Sequence, residues 1–464
     1  MSHPRSTTAL RLTLVGLSLG YFMVLFDTTA LTVALPDIAR DVGTGVQGLA
    51  WVTDAYTLTF AGCLLAAGVV ADRHGADRAF LAGLAGFGVL SLACAGAPST
   101  ATLVAARAAL GVAGALLLPA SLALIAGLFT DPGRRATAIA AWASISGTAL
   151  AAGPLLGGAL VAGLGWRGIF LVNAPVAALA ALLLRGRLPA MARRGSRVEA
   201  RGQVAVLVAV TALTWALIRG GAEGWATPDA LPALGLAIVA GALAVLAERA
   251  SSAPALPPAL LKAPAFAGAL GAGLVVGGVL AGELFLTTLE LQQVRALGPV
   301  VTGVAFLPLT VPMVVNPPLA GRLVARVGPA RPVLGGLVLI ALATAALAGA
   351  PSDGSYAWVA AGLALLGLGV SFTLPALTSA VVLAASPETR GAAGGVFSVV
   401  RQTGATLGVA AATAIIGADA DHGARGHALM AVAAVAAAVA WRAACARSQQ
   451  RTGAEPAAAV SRAG

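Results

Sequence analysis

Charge is scarce in this chain: only 10% of its 464 residues are Asp, Glu, Lys or Arg, whereas a soluble domain carries about 25%. Hydrophobic residues make up 59% of the sequence. Apolar runs recur throughout, each near the roughly 20 residues that a helix needs to cross a bilayer. The composition therefore excludes an ordinary soluble domain and predicts an all-α polytopic membrane protein.

Cysteine and histidine are also rare, with 3 and 4 residues respectively. The cysteines show no spacing typical of disulfides or metal sites, and the histidines lie in loops or at the ends of apolar runs. No histidine is therefore predicted within a span, where it could relay protons. The sequence also has no His-Glu metal cluster and no phosphate-binding Gly-Lys-Ser/Thr loop. We predict no enzyme, no catalytic residue, no metal and no cofactor, so that a proton gradient would supply the energy.

The apolar runs number about fourteen. They lie near residues 10–33, 49–71, 79–97, 101–129, 136–163, 168–185, 203–221, 231–248, 266–290, 300–321, 332–349, 356–382, 391–417 and 427–446. With a cytoplasmic N-terminus, 22 of the 29 Lys and Arg residues face the cytoplasm and 5 face outward. Because cytoplasmic loops are enriched in Lys and Arg, both termini are predicted in the cytoplasm, with the chain in the inner (plasma) membrane. The net charge of +11 then reflects topology and attraction to anionic membrane lipid, and predicts no nucleic-acid partner.

Two stretches of the first half recur in the second half. GVVADRHGADR (68–78) recurs as GRLVARVGPAR (321–331) at an offset of 253, and LGVAGALLLPA (110–120) recurs as LGLGVSFTLPA (366–376) at an offset of 256. Parallel repeats of this kind are typical of secondary transporters. We predict two pseudo-symmetric six-helix bundles with two extra central helices between them. The predicted units are residues 1–190, the basic linker and extra helices 191–262, the second bundle 263–446, and a disordered cytoplasmic tail 447–464.

Two opposite charges are predicted at comparable depth inside the first bundle. Asp27 lies about 24 Å of helix beyond Arg11, and Arg107 lies about one and a half turns into the fourth span. Burial and a neighbouring arginine shift a carboxyl pKa in opposite directions. A motion that separates the two groups could therefore release or take up a proton. The alternative is a structural ion pair that ties two helices together.

Three further charged residues are candidates for a substrate pathway. Glu283 lies near the outer third of the ninth span, where it either contacts substrate or forms a local pair. Arg401 lies near the middle of the thirteenth span, where it either pairs with Glu283 or meets an anionic group. Asp54 is predicted near the outer boundary, as an interfacial acid at a helix start or as a contact for a cation.

The fifth span carries GTALAAGPLLGGAL (147–160), in which Pro154 removes an amide donor and bends the helix. Its glycines, Gly153, Gly157 and Gly158, allow a neighbouring helix to pack closely. A functional bend is favoured over generic packing.

Together these motifs resemble the major facilitator superfamily. Residues 68–78 resemble its loop signature between spans two and three, RAALGVAGA (107–115) its fourth-span signature, and GTALAAGPLLGG its antiporter signature. FDTTALTVALP (26–36) resembles the first-span signature of the fourteen-span drug:proton antiporters of the EmrB/QacA type. The chain departs from these patterns at Ala76, Asp77 and Ala149.

The resemblance implies a role for each matching residue. Asp27 would carry protons or meet a cationic substrate, and Arg107 would take part in proton coupling. The antiporter helix would bend at Gly153, Pro154, Gly157 and Gly158. A cytoplasmic gating loop would lock the bundles in one state through Gly68, Asp72, Arg73, Gly75 and Arg78, joined by Asp131.

The implied function is proton-coupled efflux of lipophilic small molecules, such as drugs, antibiotics or a secondary metabolite, by a monomer that works by alternating access. Two alternatives stay open. One is a proton-coupled symporter that imports a solute, and the other is a non-transporting membrane sensor of the same fold.

Overall fold

The computed structural model describes residues 7–189, 200–250, 260, 262–351, 355–385, 389–416 and 422–461. Within these ranges the regular elements are all helices, and no strand occurs. The α-helices are α1 Thr7–Val42, α2 Val46–His74, α3 Ala76–Ala95, α4 Thr100–Leu128, α5 Pro132–Leu164, α6 Arg167–Leu171, α7 Asn173–Leu184, α8 Ala200–Glu223, α9 Ala230–Ala250, α10 Pro264–Leu289, α11 Pro299–Ala305, α12 Leu307–Val315, α13 Pro317–Val327, α14 Ala330–Ala348, α15 Tyr356–Ala384, α16 Arg390–Ile416 and α17 His422–Ser461. A π-helix, Glu290–Val294, extends α10. The predicted all-helical fold is confirmed.

The number of spans differs from the prediction. Among the described residues, 11 helices are long and apolar enough to cross a membrane, or up to 13 if two bent pairs are counted as single spans. The bends are 53° in α2 and 45° in α5. The predicted run 300–321 instead falls across three short helices, α11 to α13. Each of these begins with a proline in its first turn, and proline cannot donate the amide hydrogen bond that continues a helix. The count of fourteen is therefore not confirmed.

The internal repeat is visible in the packing of equivalent helices. A Cβ atom at Gly111 of α4 would collide with the carbonyl oxygen of Tyr56 in α2, and one at Gly367 of α15 would collide with that of Leu309 in α12. Gly367 lies 256 residues after Gly111, and Leu309 lies 253 residues after Tyr56. The two offsets found in the sequence thus relate two equivalent close contacts, one in each half.

The central helices α8 and α9 pack against each other, and α8 also contacts α2 and α16. The proposed domain limits stay predictions, and residues 190–199 of the basic linker lie outside the described residues. One detail differs at the C-terminus, because α17 continues to Ser461 where a disordered tail was predicted from residue 447. This stretch contains many alanines, which have the highest helix propensity.

Candidate functional site

Asp27 of α1 and Arg107 of α4 form an ion pair inside the first half, as the sequence predicted. Their side chains are 0% and 1% exposed, and Arg107 Nη1 donates to Asp27 Oδ2. Arg107 Nε also donates to the carbonyl oxygen of Val52 at 3.0 Å. The guanidinium lies 4.5 Å from the ring centroid of Tyr56 and 5.8 Å from that of Phe170. Arg107 is thus fixed by a carboxylate, a carbonyl and two aromatic rings.

The ion pair leaves one atom available for chemistry. Asp27 Oδ1 is buried and has no hydrogen-bond partner among the described residues. Arginine stays protonated in proteins, so the carboxylate is the member of the pair that can take up a proton. Ionisable groups within membranes are costly and usually mark ion or substrate pathways.

The glycines of α5 bring this helix against α1, close to Asp27. A Cβ atom at Gly157 would lie 2.9 Å from the carbonyl oxygen of Ala30, and one at Gly153 would lie 3.1 Å from the Ala30 amide nitrogen. The hydroxyl of Thr29 contacts the Ala149 carbonyl oxygen at 3.4 Å. The bend of α5 lies between residues 150 and 152. Pro154 has no amide hydrogen to donate to the carbonyl oxygen of residue 150, four residues earlier, so the helical hydrogen bond is missing there.

The opposite side of the same bend contacts the second half. A Cβ atom at Gly158 would lie 3.0 Å from the carbonyl carbon of Pro299, and one at Gly303 would lie 3.1 Å from the Cα atom of Leu155. Helices α5 and α11 therefore meet backbone to backbone. The bent helix α5 thus lies between α1 of the first half and α11 of the second half.

The loop at residues 68–78 forms a tight turn between α2 and α3. Gly75 is buried with φ of 99°, and its amide donates to the carbonyl oxygen of Ala71 at 3.0 Å. This left-handed conformation explains the need for glycine. Three charged residues of the predicted gate are exposed, and none of them takes part in an ion pair found among the described residues. These residues are Asp72, Arg73 and Arg78.

Gly68 and Asp131, which also belong to the predicted gate, contact neighbouring residues. Gly68 faces Pro119, because a Cβ atom at Gly68 would lie 3.9 Å from the Cβ atom of the proline. Asp131 is the N-cap of α5 and accepts a hydrogen bond from the Arg134 amide at 2.8 Å. The structure brings Asp131 into no ion pair with the described residues of the loop, and the gating role stays a prediction.

Glu283 of α10 has a partner that the sequence did not suggest. Its Oε2 atom lies 2.6 Å from Nδ1 of His427 in α17, and the two side chains are 0% and 2% exposed. His427 lies within an apolar helix segment that could span the membrane, Ala424–Ser448. The prediction that no histidine lies in a span is therefore wrong. The sequence could have suggested this pair, because Glu283 and His427 lie near the same predicted membrane face.

Arg401 does not pair with Glu283 among the described contacts. Arg401 lies on α16, where its backbone carbonyl approaches Gly277 of α10, and its guanidinium is within electrostatic range of Tyr21 of α1. Glu283 lies six residues, or about 9 Å of helix, beyond Gly277. The helical register thus separates the two groups.

Asp54 of α2 is fully buried within the protein, and its predicted role stays a prediction. Both of its carboxylate oxygens lack a hydrogen-bond partner among the described residues. One turn further along α2, Thr57 is hydrogen-bonded to Thr406 of α16 at 2.9 Å. Asp54 therefore lies close to a contact between the two halves.

A helical bundle with an internal repeat is common among membrane transporters. The sequence profile of the Major Facilitator Superfamily matches residues 17–409. The chain belongs to this family and is a multi-pass membrane protein. Family and relatives indicate a transporter and not an enzyme.

Several curated relatives carry the names of resistance proteins. The chain is 37% identical to Multidrug resistance protein Stp of Mycobacterium tuberculosis (strain ATCC 25618 / H37Rv), over 88% of this chain and 76% of that protein. It is 33% identical to a Methylenomycin A resistance protein of Streptomyces coelicolor, over 89% of this chain and 87% of that protein. It is 38% identical to Puromycin resistance protein pur8 of Streptomyces alboniger, over 86% of this chain and 80% of that protein.

Two solved structures share the fold. A crystal structure of the peptide transporter POT in complex with sulfate has a TM-score of 0.72 at 14% identity, covering 94% of both chains. An inward-facing, unoccupied bacterial homologue of the human lysosomal transporter Spinster has a TM-score of 0.68 at 16% identity, covering 95% of this chain and 98% of that one. At these identities the likeness concerns the fold alone.

Proposed function

We propose that this protein is a proton-coupled efflux antiporter that exports lipophilic small molecules by alternating access. It would belong to the fourteen-span EmrB/QacA-type drug antiporters and work as a monomer in the inner (plasma) membrane, with both termini in the cytoplasm. The observation that carries this proposal is the buried ion pair of Asp27 and Arg107, whose second carboxylate oxygen has no partner among the described residues.

The proposed coupling uses the carboxylate of Asp27 as the site of proton exchange. The nearby Arg107 favours the charged form of the carboxylate, and burial opposes it. A proton from outside would neutralise Asp27 and weaken its hold on α4. A substrate that approaches the same carboxylate would displace the proton. Substrate and proton would thus compete for one site, which is the minimum requirement for exchange.

The proposed movement has its axis along α5. This helix packs through Gly153 and Gly157 on α1, which carries Asp27, and through Gly158 on α11 of the second half. A change at Asp27 can therefore reach the contact between the halves through a single bent helix. The loop at residues 68–78 would close the cytoplasmic side in the other state.

The names of the relatives support export rather than import. They include resistance proteins for methylenomycin A, puromycin and methyl viologen, and an export protein for tetracenomycin C. We propose that this chain takes substrates from the same range of drug-like molecules.

The experiment is a resistance and transport comparison of the wild type with Asp27→Asn. Cells that lack their own drug pumps would express each protein and be challenged with puromycin, tetracenomycin C, methylenomycin A and methyl viologen. We expect resistance to at least one compound with the wild type and its loss with Asp27→Asn. In everted vesicles, that compound should collapse a preset proton gradient only when the wild type is present.

Glu223→Gln is a matched control, because Glu223 is an exposed acid that pairs with Arg219 at the end of α8. It should keep full resistance. Undiminished gradient-driven export by normally expressed Asp27→Asn would refute the proposed role of Asp27. If the wild type neither confers resistance to nor transports any of the four compounds, the alternative of a non-transporting membrane sensor would be favoured.

A further inference from the structure

A chain of titratable side chains crosses from the rim of the second half to its interior. His427 of α17 lies between two carboxylates: Nδ1 is 2.6 Å from Glu283 Oε2, and Nε2 is 3.7 Å from Glu290 Oε2. Glu290 begins the π-helix and is 17% exposed, whereas Glu283 is 0% exposed. The three groups thus run from a partly solvated acid to a fully buried one.

We propose that Glu290, His427 and Glu283 form a second proton-binding site, a relay separate from the pair of Asp27 and Arg107. The proposal rests on the proposed function only in taking the transported ion to be a proton. In the relay, the Glu290 carboxyl group moves from 3.7 Å to within hydrogen-bond distance of His427 Nε2. His427 Nε2 then accepts a proton from Glu290, and Nδ1 gives one to Oε2 of Glu283. One proton is transferred, and the ring stays neutral but has changed tautomer, which a ring flip or the reverse transfer restores.

The neighbouring charges favour this direction of transfer. Arg295 Nε donates to Glu290 Oε1 at 3.0 Å, so the other oxygen of Glu290 is the one that faces His427. The charged groups that act on Glu283 are His427 and Glu290. Arg425 lies on the exposed side of α17, and Arg401 of α16 lies about two turns deeper than Glu283. An imidazole can take a proton on one nitrogen and release it from the other, which suits it to this middle position.

Two buried atoms indicate that the relay is a binding site and not a closed structural pair. Glu283 Oε1 and His427 Nε2 are buried and have no hydrogen-bond partner among the described residues. Buried polar atoms are normally hydrogen-bonded, and an exception requires an explanation. Proton transfer from Glu290 would give His427 Nε2 a partner for part of the cycle, and Glu283 Oε1 stays open to a further ligand.

The relay is also connected to the first half. Gln292, on the same π-helix as Glu290, donates to the carbonyl oxygen of Val33 in α1 at 2.7 Å. Val33 lies six residues after Asp27, which is about 9 Å of helix. Single π-helical turns are frequent at functional sites. Proton uptake at Glu290 would weaken its pair with Arg295 and so loosen the turn that links the halves.

The test is solid-supported membrane electrophysiology on proteoliposomes without any drug. A step to acid pH on the relay side drives protons into the site and gives a transient current. We expect His427→Gln and Glu283→Gln each to lower the displaced charge by about half or more, because the interior site no longer fills. Asp27→Asn and Glu223→Gln leave the relay intact, so both should retain the displaced charge that His427→Gln and Glu283→Gln lose.

His427→Gln alone leaves a buried carboxylate without its partner, so a folding defect must be separated from a relay defect. The double variant Glu283→Gln/His427→Gln keeps a neutral hydrogen-bonding pair and should fold, yet show the same loss of charge. Unchanged displaced charge in the folded double variant would overturn the relay. Failure of the proposed function would show differently, as a wild type that gives the acid-step current but exports none of the four compounds.

Discussion

The two halves of the molecule each hold a buried acid beside a basic side chain, but the basic partners differ. At the offset of 256 that relates Gly111 to Gly367, Leu363 corresponds to Arg107. The second half thus has an apolar residue at the position of the fixed cation, and its buried acid, Glu283, pairs with His427 of another helix. A guanidinium is always charged, whereas an imidazole titrates near neutral pH. The first half can therefore hold a charge, and the second half can pass a proton.

The largest effect is expected when the first half is made to resemble the second. Arg107→Leu leaves Asp27 charged and buried without a partner, which costs about 3–5 kcal/mol for a buried pair. We expect a large loss of thermal stability in detergent and no export. The double variant Asp27→Leu/Arg107→Leu should recover most of the stability, but not the export. Equal stability of the single and double variants would show that the pair is not energetically coupled.

The next effect compares close helix contacts in the two halves. Gly157→Ala places a methyl group against Ala30 of α1, and Gly408→Ala places one against Gly278 of α10. Overpacking typically costs about 1–3 kcal/mol, so both variants should melt at lower temperature. Gly163→Ala on α5 is the control, because no atom lies within 4 Å of its Cβ position. The comparison fails if Gly163→Ala melts as early as the other two.

A smaller effect is expected at the hydrogen bond that joins the halves. Gln292→Ala removes the donor to Val33, and one net hydrogen bond is worth about 1 kcal/mol. The population of the state in which α1 and the π-helix are separated should rise by about fivefold, which labelling of a cysteine introduced at this contact would measure. Gln293→Ala is the matched control, since Gln293 is the adjacent exposed residue. Equal labelling of both variants would show that the hydrogen bond from Gln292 does not hold the two halves together.

The smallest effect is expected outside both halves, at Asp229 between α8 and α9. Hydrogen bonds from Trp215 and Arg219 lower the pKa of Asp229 below its usual value of 3.8. A carboxyl group with a lowered pKa stabilises the fold above its usual pKa and loses this contribution as the pH falls through the lowered value. Asp229→Asn should therefore reduce thermal stability slightly near neutral pH. The variant should lose less stability than the wild type as the pH falls into strong acid, and its export should be unchanged. A transport defect would mean that the central helices take part in coupling.

Much of this architecture could be predicted from single residues. The pairing of Asp27 with Arg107 followed from depth along two helices, because 1.5 Å per residue places both at one level. The repeat followed from glycines at constant offsets, since close helix approach allows few other residues. Depth placed Glu283 and His427 near the same membrane face as well, but it did not show that α17 packs against α10, which the tertiary fold decides. The run 300–321 was predicted as one span on hydropathy, which does not register the prolines that divide it.

The position of α8 has a consequence for how the bilayer acts on this protein. Leu207 of α8 packs on Gly62 of α2, and Ala414 of α16 packs on Gly221 of α8, so protein covers the boundary where α2 meets α16. At the boundary of α5 with α11, Leu156, Val300 and Val304 are exposed instead. Acyl chains therefore touch one boundary of the molecule and are kept away from the other. Changes in membrane thickness or fluidity should therefore affect the boundary of α5 with α11 more than the boundary of α2 with α16. The response of this transporter to lipid is then asymmetric.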